Sequence, residues 1–581
     1  MAIRKAIFQA LTLLLLAGPA VAALPEIPCN GIDDDGAGGD QSGPVNDADC
    51  DGFTLDGTGT RGYDCDDTNS RIPAVKWVMT GCSGQQVKVC NILDGTYSAC
   101  GTPSNTGSNY YLDFDDGSNS NDCSFATPCK DHRMVDTYYD SGDRPAGWKD
   151  LAAQTTVWFL DNLDTSTFLF NGQKRGLNLR NESGTAGSPI RFVCPIGSGA
   201  GISPTGCNSG TPCPAVTFET SDYVEIYGCT ISGGYGDGVP IEGSGIAGDA
   251  DYGKIIGNDI TANFGSPGSN TAGINLSISP IDWTVTDNLI HNNYDTTAGT
   301  AENERQAVFF TPTGLDFGYN RVYMPVVYTD SNDSASGVVI KHGNSTGSNR
   351  IHHNIMWQLR DEAIGGGGAG LTVERNLIVN SERWIWAQNF GGVTYTRDWV
   401  VQDNTIYSNL SSGGWAQFDA ENNSGGYGTS FIGRRNVYVV ADTGYGDDDA
   451  VVTLGTYQAD AVRTAFLSSG IFQWNQNCYY NSAATTLQFC DYCNNSTGGP
   501  TGTLRTYAQW QSLGLDAASF VKNPVLDTTM RATDADCDDW GWLRVTEFGG
   551  GSSSSSSSST PPGPSEGINT KFKRYSNRVK Q

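Results

Sequence analysis

One phrase recurs between Val224 and Tyr480 and limits what this chain can fold into: an aliphatic doublet, a small or polar residue, Asn, another apolar pair and often a second Asn. Lys254-Ile-Ile-Gly-Asn-Asp-Ile, Thr284-Val-Thr-Asp-Asn-Leu-Ile, Arg350-Ile-His-His-Asn-Ile-Met, Thr372-Val-Glu-Arg-Asn-Leu-Ile and Val400-Val-Gln-Asp-Asn-Thr-Ile share one register. Counted on the central position, Gly228, Asn258, Asn288, Asn320, Asn354, Asn376, Asn404, Asn436 and Asn477 are separated by 30, 30, 32, 34, 22, 28, 32 and 41 residues. A unit this short cannot bury its own apolar face, so the repeats must stack as coils, blades or a similar array.

Each phrase holds two short alternating runs rich in β-branched residues, hinged on Asn or Gly, which reads as strand, tight turn, strand. Helical stripes of period 3.6 are missing from this stretch. Asn tolerates the left-handed backbone conformation expected at the hinge, and an Asn at the same place in successive coils can bond to those above and below. The expected fold is all-β, a parallel β-helix, with Ile256 and Val285 on the inward phase of their strands. An irregular β-sandwich with coincidental Asn turns is the alternative.

With these phrases in view, the chain resembles the secreted right-handed parallel β-helix proteins of the pectate-lyase-like class. Tyr110-Tyr-Leu-Asp-Phe-Asp-Asp-Gly-Ser-Asn-Ser-Asn-Asp-Cys-Ser-Phe-Ala-Thr-Pro-Cys-Lys is similar to the opening strand and turn of that class. Ser183-Gly-Thr-Ala-Gly-Ser-Pro-Ile-Arg-Phe is similar to its second coil, and Ala508-Gln-Trp-Gln-Ser-Leu-Gly-Leu-Asp with Lys522-Asn-Pro-Val-Leu to its closing segment. The resemblance implies a right-handed parallel β-helix. It says little about reaction, because one scaffold carries lyases, hydrolases, epimerases and adhesins.

Residues 1–22 have Arg4 and Lys5, an apolar run from Ile7 to Leu16 and Ala20-Val-Ala before a cut, which reads as a secretory signal too short at its centre for a membrane span. Its removal takes the net charge from −28 to −30. Such a surface repels nucleic acid and anionic membranes but suits a calcium-rich exterior. All 16 Cys lie after the signal, an even number in an exported chain, so a disulfide framework is expected.

Residues 23–102 read as a separate Asp/Cys-rich metal-binding module. Asp47-Ala-Asp-Cys-Asp-Gly places Asp47, Asp49 and Asp51 at positions one, three and five with Gly at six, so that a turning loop can aim alternate oxygens at one hard cation. Asp33 and Asp35 upstream, with Asp64, Asp66 and Asp67 downstream, complete the candidate ligand set for Ca²⁺. The segment resembles Asp-rich repeats of bacterial surface proteins, which are similar to thrombospondin type 3 calcium repeats. Here the closing acid expected near Thr58 comes only at Asp64. A solvated acidic loop is the alternative, but one would need neither the interleaved Cys nor the Gly.

Residues 107–545 are assigned to the β-helix, 546–566 to a Gly/Ser/Pro linker and 567–581 to a basic tail suited to surface tethering or assembly. Cys123 and Cys129 can bridge each other, and Cys194, Cys207, Cys213 and Cys229 form a second group around Pro195–Pro214. Ala532-Thr-Asp-Ala-Asp-Cys-Asp-Asp echoes the first Asp phrase, with Asp539 in place of the Gly.

Candidate chemistry lies on two central coils. Lys341 and His342 follow a strand, and Arg360, Asp361 and Glu362 come about one coil later. β-Helix uronate lyases use a Lys or Arg base and a second cation beside the carboxylate, so the resemblance implies Lys341 as base, Arg360 as neutraliser and His342 beside them. The paired-Asp and Gly-His-Gly phrases of β-helix polygalacturonases are missing. One of His352 and His353 reads as a substitute for Asn in the ladder. Trp384, Trp386, Trp399 and Trp415 are candidates for stacking on sugar rings, with burial between coils as the alternative. Two functions stay open: a secreted enzyme eliminating on extracellular uronate polysaccharide, and a non-catalytic surface or matrix protein that binds glycan.

Overall fold

The computed structural model describes residues 28–29 and 47–543 apart from internal segments, of which 136–146, 237–244, 294–302, 325–333, 388–397, 420–429, 441–450, 456–469 and 492–502 are the longest. Among the described residues the strands form three twelve-stranded sheets, each running through nearly every coil. The first sheet starts at Asn109–Leu112 and ends at Phe472–Trp474, the second runs from Asn162–Leu163 to Phe520–Val521, and the third from Leu177–Arg180 to Thr503–Thr506. One coil supplies Lys254–Ile256, Asp259–Thr261 and Ala272–Leu276 to the three in turn. Pairing is parallel until the last strand of the third sheet, which returns antiparallel on Gln488–Asp491. This is a parallel β-helix, as the repeat requires.

The ladder of Asn residues forms at the corner between the first and second sheets. Asn258 Nδ2 donates to Asn288 Oδ1, and the bond repeats through Asn320, Asn354, Asn376, Asn404 and Asn436 to Asn477 at 2.9–3.1 Å. Each Oδ1 also accepts the backbone N–H of the preceding Asn, so one side chain closes two coils at once. All are at most 1 % exposed, where unpaired amides would be costly.

Three expectations about this corner are corrected. The left-handed residue is not the Asn but the one before it: Gly257, Asp287, Tyr319, His353, Arg375, Asp403, Arg435 and Gln476 have φ between 52° and 63°. The bend is made one residue early, leaving the Asn side chain aimed inward at both neighbours. Gly228 shares this earlier position, and Cys229 takes the ladder place, its N–H donating to Asn258 Oδ1 across 29 residues. His353 is likewise the bend residue and Asn354 the rung, so neither His substitutes for Asn.

Inward columns of apolar side chains fill the interior. Ile255 pairs with Val285 and then Phe317, Ile351 and Val373 along the first sheet, all fully buried. Val285 is therefore inward as expected, but Ile256 faces out and only its neighbour Ile255 is inward. Period-two alternation fixes a strand's faces only once the bend is located, and the doublet offers two phases to choose from. Disulfides Cys123–Cys129, Cys194–Cys229, Cys207–Cys213 and Cys478–Cys537 join this body. Cys490 is also disulfide-bonded.

The far end of the ladder is closed by Asp516. Its carboxylate accepts from Asn477 Nδ2, Ser519 Oγ, Tyr479 Oη and Trp510 Nε1, the Trp lying on the short helix Tyr507–Gln511. Beyond it the chain turns back, and Met530, Trp542 and Leu543 cover Ile355, Trp357 and Leu377 on the outer face of the second sheet.

The segment before Tyr110 also packs on the rod. Cys65–Cys90 and Cys82–Cys100 staple a small antiparallel sheet of Trp77–Val78, Lys88–Asn91 and Thr96–Tyr97. Arg71 caps two coils, with Nε donating to Gly257 O at 2.6 Å and Nη2 to Gly228 O at 2.5 Å. Val75 seats against the same glycines: a Cβ on Gly257 would lie 2.2 Å from Val75 Cγ2, and its φ of +63° disfavours a side chain as well.

Candidate cation site and outer sheet faces

Asp47, Asp49 and Asp51 are all buried, and one oxygen of each lies within 4.8 Å of the others. The loop is built locally: Asp51 N–H donates to Asp47 Oδ1 at 3.1 Å, Phe53 N–H to Asp51 Oδ1 at 2.8 Å, and Cys29–Cys50 ties the loop's centre. Asp51 Oδ2 is buried without a hydrogen-bond partner among the described residues. Burial first, then the charges of Asp49, Asp47 and Asp287, push the Asp51 carboxyl well above the ordinary range, against the opposing pull of Arg61. Three hard oxygen donors crowded away from water fit a divalent cation such as Ca²⁺, which prefers carboxylate ligands and offsets their repulsion.

Asp64 and Asp66 fall outside that group. Asp64 Oδ1 accepts Asp66 N–H and Asp66 Oδ1 accepts the Thr68 backbone and hydroxyl, so both are engaged in their own turn. Asp33, Asp35 and Asp67 lie outside the described residues. In the echo near the C-terminus, Lys522 Nζ meets Asp534 at 2.5 Å and Asp536 at 2.6 Å.

The cation loop is tied to the rod. Arg61 Nη1 donates to Asp51 O at 2.7 Å, and the same guanidinium pairs with Asp287. It lies 4.3 Å from the Phe53 ring centre and 4.4 Å from that of Tyr319. Arg321 Nη2 donates to Asp49 O at 2.6 Å. No local motif signals Arg61 as a site residue, since its partner is 226 positions away.

Lys341 ends the strand Ser334–Lys341 of the third sheet, beside Phe310, and is 7 % exposed. His342 and Arg360 lie outside the described residues. Asp361 N–H bonds Ala335 O, so the chain resumes opposite the start of that strand, six residues from Lys341, or roughly 20 Å at the usual rise. Asp361 there accepts Arg383 Nη1 at 2.6 Å, and Glu362 is fully buried. One coil's spacing in sequence does not bring the two ends of a strand together.

The Trp set divides by face. Trp384 and Trp399 are 0 % exposed, Trp399 Nε1 donating to Gly368 O at 3.0 Å, so their expected role against sugar is corrected to core packing. Trp386 points outward, half-buried, with the Arg383 guanidinium 4.3 Å from its ring centre. The side chain of Trp415 lies outside the described residues. His352 Nε2 meets Asp316 Oδ1 at 2.6 Å and its Nδ1 meets His353 Nδ1 at 2.8 Å, while Tyr319 stacks on His353 at 4.7 Å. Burial, then the positive neighbours, hold His353 well below the usual imidazole range. Among the described residues no helix is long and apolar enough to cross a membrane.

No protein-family model and no curated protein matches this sequence. Among solved structures the chain is similar to the pectate lyase Pel9A, with TM-score 0.39 and 14 % identity over 61 % of this chain and 79 % of that one. It is also similar to a rhamnogalacturonan lyase, with TM-score 0.28 and 11 % identity over 76 % and 99 % of the two chains. An alginate lyase from Paenibacillus sp. str. FPU-7 gives TM-score 0.23 and 17 % identity over 53 % and 90 %.

Proposed function

We propose that this protein is an exported, Ca²⁺-binding β-helix protein that acts on or binds extracellular polysaccharide. The observation that carries the cation half is the buried trio Asp47, Asp49 and Asp51 within 4.8 Å. Asp47, Asp49 and Asp51 would hold Ca²⁺, which would supply fixed positive charge there and stiffen the docked N-terminal segment. The polysaccharide half rests on the resemblance of the opening, second-coil and closing phrases to the pectate-lyase-like class. Residues 23–102 form the metal-binding module in this reading, residues 107–545 the glycan-facing rod, and the basic tail at 567–581 the tether.

As an enzyme it would be a uronate lyase in which Lys341 takes the proton beside the uronyl carboxylate, Arg360 neutralises that carboxylate and Trp386 lines the path of the chain. A non-catalytic surface or matrix role is the second reading. It is favoured by the burial of Lys341, Trp384 and Trp399 and by the offset between Lys341 and Asp361. Elimination leaves an unsaturated uronate that absorbs in the near ultraviolet, so uronate polymers are incubated with the protein and Ca²⁺ and absorbance is followed. Product from the wild type that disappears in Lys341→Ala supports the lyase. Retention on glycan with no absorbing product from the wild type supports the binding role.

A further inference from the structure

A cavity of about 750 Å³ opens between the N-terminal segment and the outer face of the first sheet, walled by Trp77 and Leu93 on one side and Arg191, Tyr227 and Ile256 on the other. Its volume falls within the roughly 300–1,000 Å³ typical of small-ligand sites. Its charge runs against that of the chain. The described lining residues include three cations, Arg61, Lys76 and Arg191, and no carboxylate, in a protein with 63 acidic and 35 basic residues.

Two of these cations are matched from outside the wall. Arg61 pairs with Asp287, and Arg191 Nε meets Glu225 Oε2 at 2.8 Å. Lys76 is not matched: its exposed ammonium sits 4.9 Å from the Trp77 ring centre and has no carboxylate partner among the described residues. Partial desolvation, then the nearby charge of Arg191, lowers its pKa. The rim adds an independent sign. Leu93 is 81 % exposed and Ile92 42 %, two of the four large apolar side chains so exposed among the described residues. A ligand here must therefore bring one negative charge, an apolar face, and polar groups for Asn91, Asn105 and Thr286.

We propose that this cavity binds a carboxylated sugar unit, its carboxylate on Lys76 and its ring face against the wall of Ile256 and Leu93. The site lies on the first sheet, whereas Lys341 lies on the third, so it would hold a glycan chain away from the face assigned to chemistry. This takes the polysaccharide from the reading above and adds where, and by which charge, it is gripped.

Titration calorimetry of the full chain at low salt tests it, with saturated trigalacturonate, neutral maltotriose and tetraglutamate as probes. The uronate trimer should bind and maltotriose should not. Because Lys76 is exposed and holds no ion pair among the described residues, Lys76→Gln should keep the wild-type melting temperature while losing roughly tenfold or more in affinity, as expected for one charge-assisted contact. Lys76→Glu should abolish binding. Full affinity in Lys76→Glu overturns the proposal and leaves the polysaccharide reading standing. Tighter binding of tetraglutamate than of the uronate trimer overturns it in favour of an acidic peptide. A wild type that binds no uronate, trimer or polymer, overturns both.

Discussion

Arg61 forms a bidentate pair with Asp287 across 226 positions of the chain, Nη1 to Oδ1 at 2.5 Å and Nη2 to Oδ2 at 2.9 Å. Asp287 is the left-handed residue just before the rung Asn288, so the cation loop is fastened to the corner that organises the rod. Asp287 is fully buried at its side chain and Arg61 is 21 % exposed, so losing one partner strands a charge. Arg61→Met should cost about 2–4 kcal/mol, less in an Asp287→Asn background, a coupling that a double-mutant cycle in urea would measure. Equal cost in both backgrounds would show the pair to be incidental.

Calcium should act at Asp47, Asp49 and Asp51 and be felt in the docked segment. Added Ca²⁺ should raise the melting temperature of the wild type, by an amount set by the ratio of Ca²⁺ to its Kd. Asp49→Ala should remove both the heat of Ca²⁺ binding and the thermal shift, while Asp66→Ala, outside the trio, should leave them nearly unchanged. An Asp66→Ala variant that fails like Asp49→Ala would refute the three-residue assignment.

Ladder positions should be far less tolerant than their neighbours. Asn320→Leu removes the acceptor of the Asn288 backbone N–H and of Asn288 Nδ2, and the donor to Val285 O and Asn354. Leaving these buried groups unpaired should cost about 3 kcal/mol or more. On the strand itself, Val285→Asp should prevent stable folding, whereas Thr284→Asp, at the half-buried outward position that pairs with Lys254, should cost far less. Circular dichroism melts of the three variants decide the register.

Asp516 gives a pH signature. Burial, opposed by four hydrogen bonds, raises its carboxyl from 3.8 to about 6 in the folded chain. Below about pH 4 both states hold the proton, but between about 4 and 6 the unfolded chain releases it and the folded chain does not. Stability from this group is therefore present at low pH and lost as pH rises through that window, by roughly 3 kcal/mol, then flat. In Asp516→Asn that falling component should vanish, read as the difference in urea midpoints from about pH 4 to 7.

The coil register and the ladder are legible in the sequence because Asn must recur wherever one side chain bridges two coils, and eight such sites leave a countable trace. The bend is harder to place, because the position before Asn carries Gly, Asp, Tyr, His, Arg or Gln and so has no signature of its own. An inward Ile256 is the wrong phase for the same reason. Asp47, Asp49 and Asp51 are readable from spacing alone, whereas Arg61, Arg71 and Asp287 are not, because their contacts are made between segments that only docking brings together. Trp384 and Trp399 look the same as Trp386 in sequence, and only the phase of each strand separates core from surface.

The bend column carries a consequence of its own. Where the backbone is held to one unusual conformation six residue types occur, and at the relaxed position beside it Asn recurs from Asn258 to Asn477. Diversity thus collects along a single line, one residue per coil, roughly 4.8 Å apart. Tyr319 over His353 and Arg435 beside Asp403 already use that line for stacking and charge. Away from Gly257 and Asp287, which the docked N-terminal segment holds, new chemistry can be written along this edge, one letter per turn.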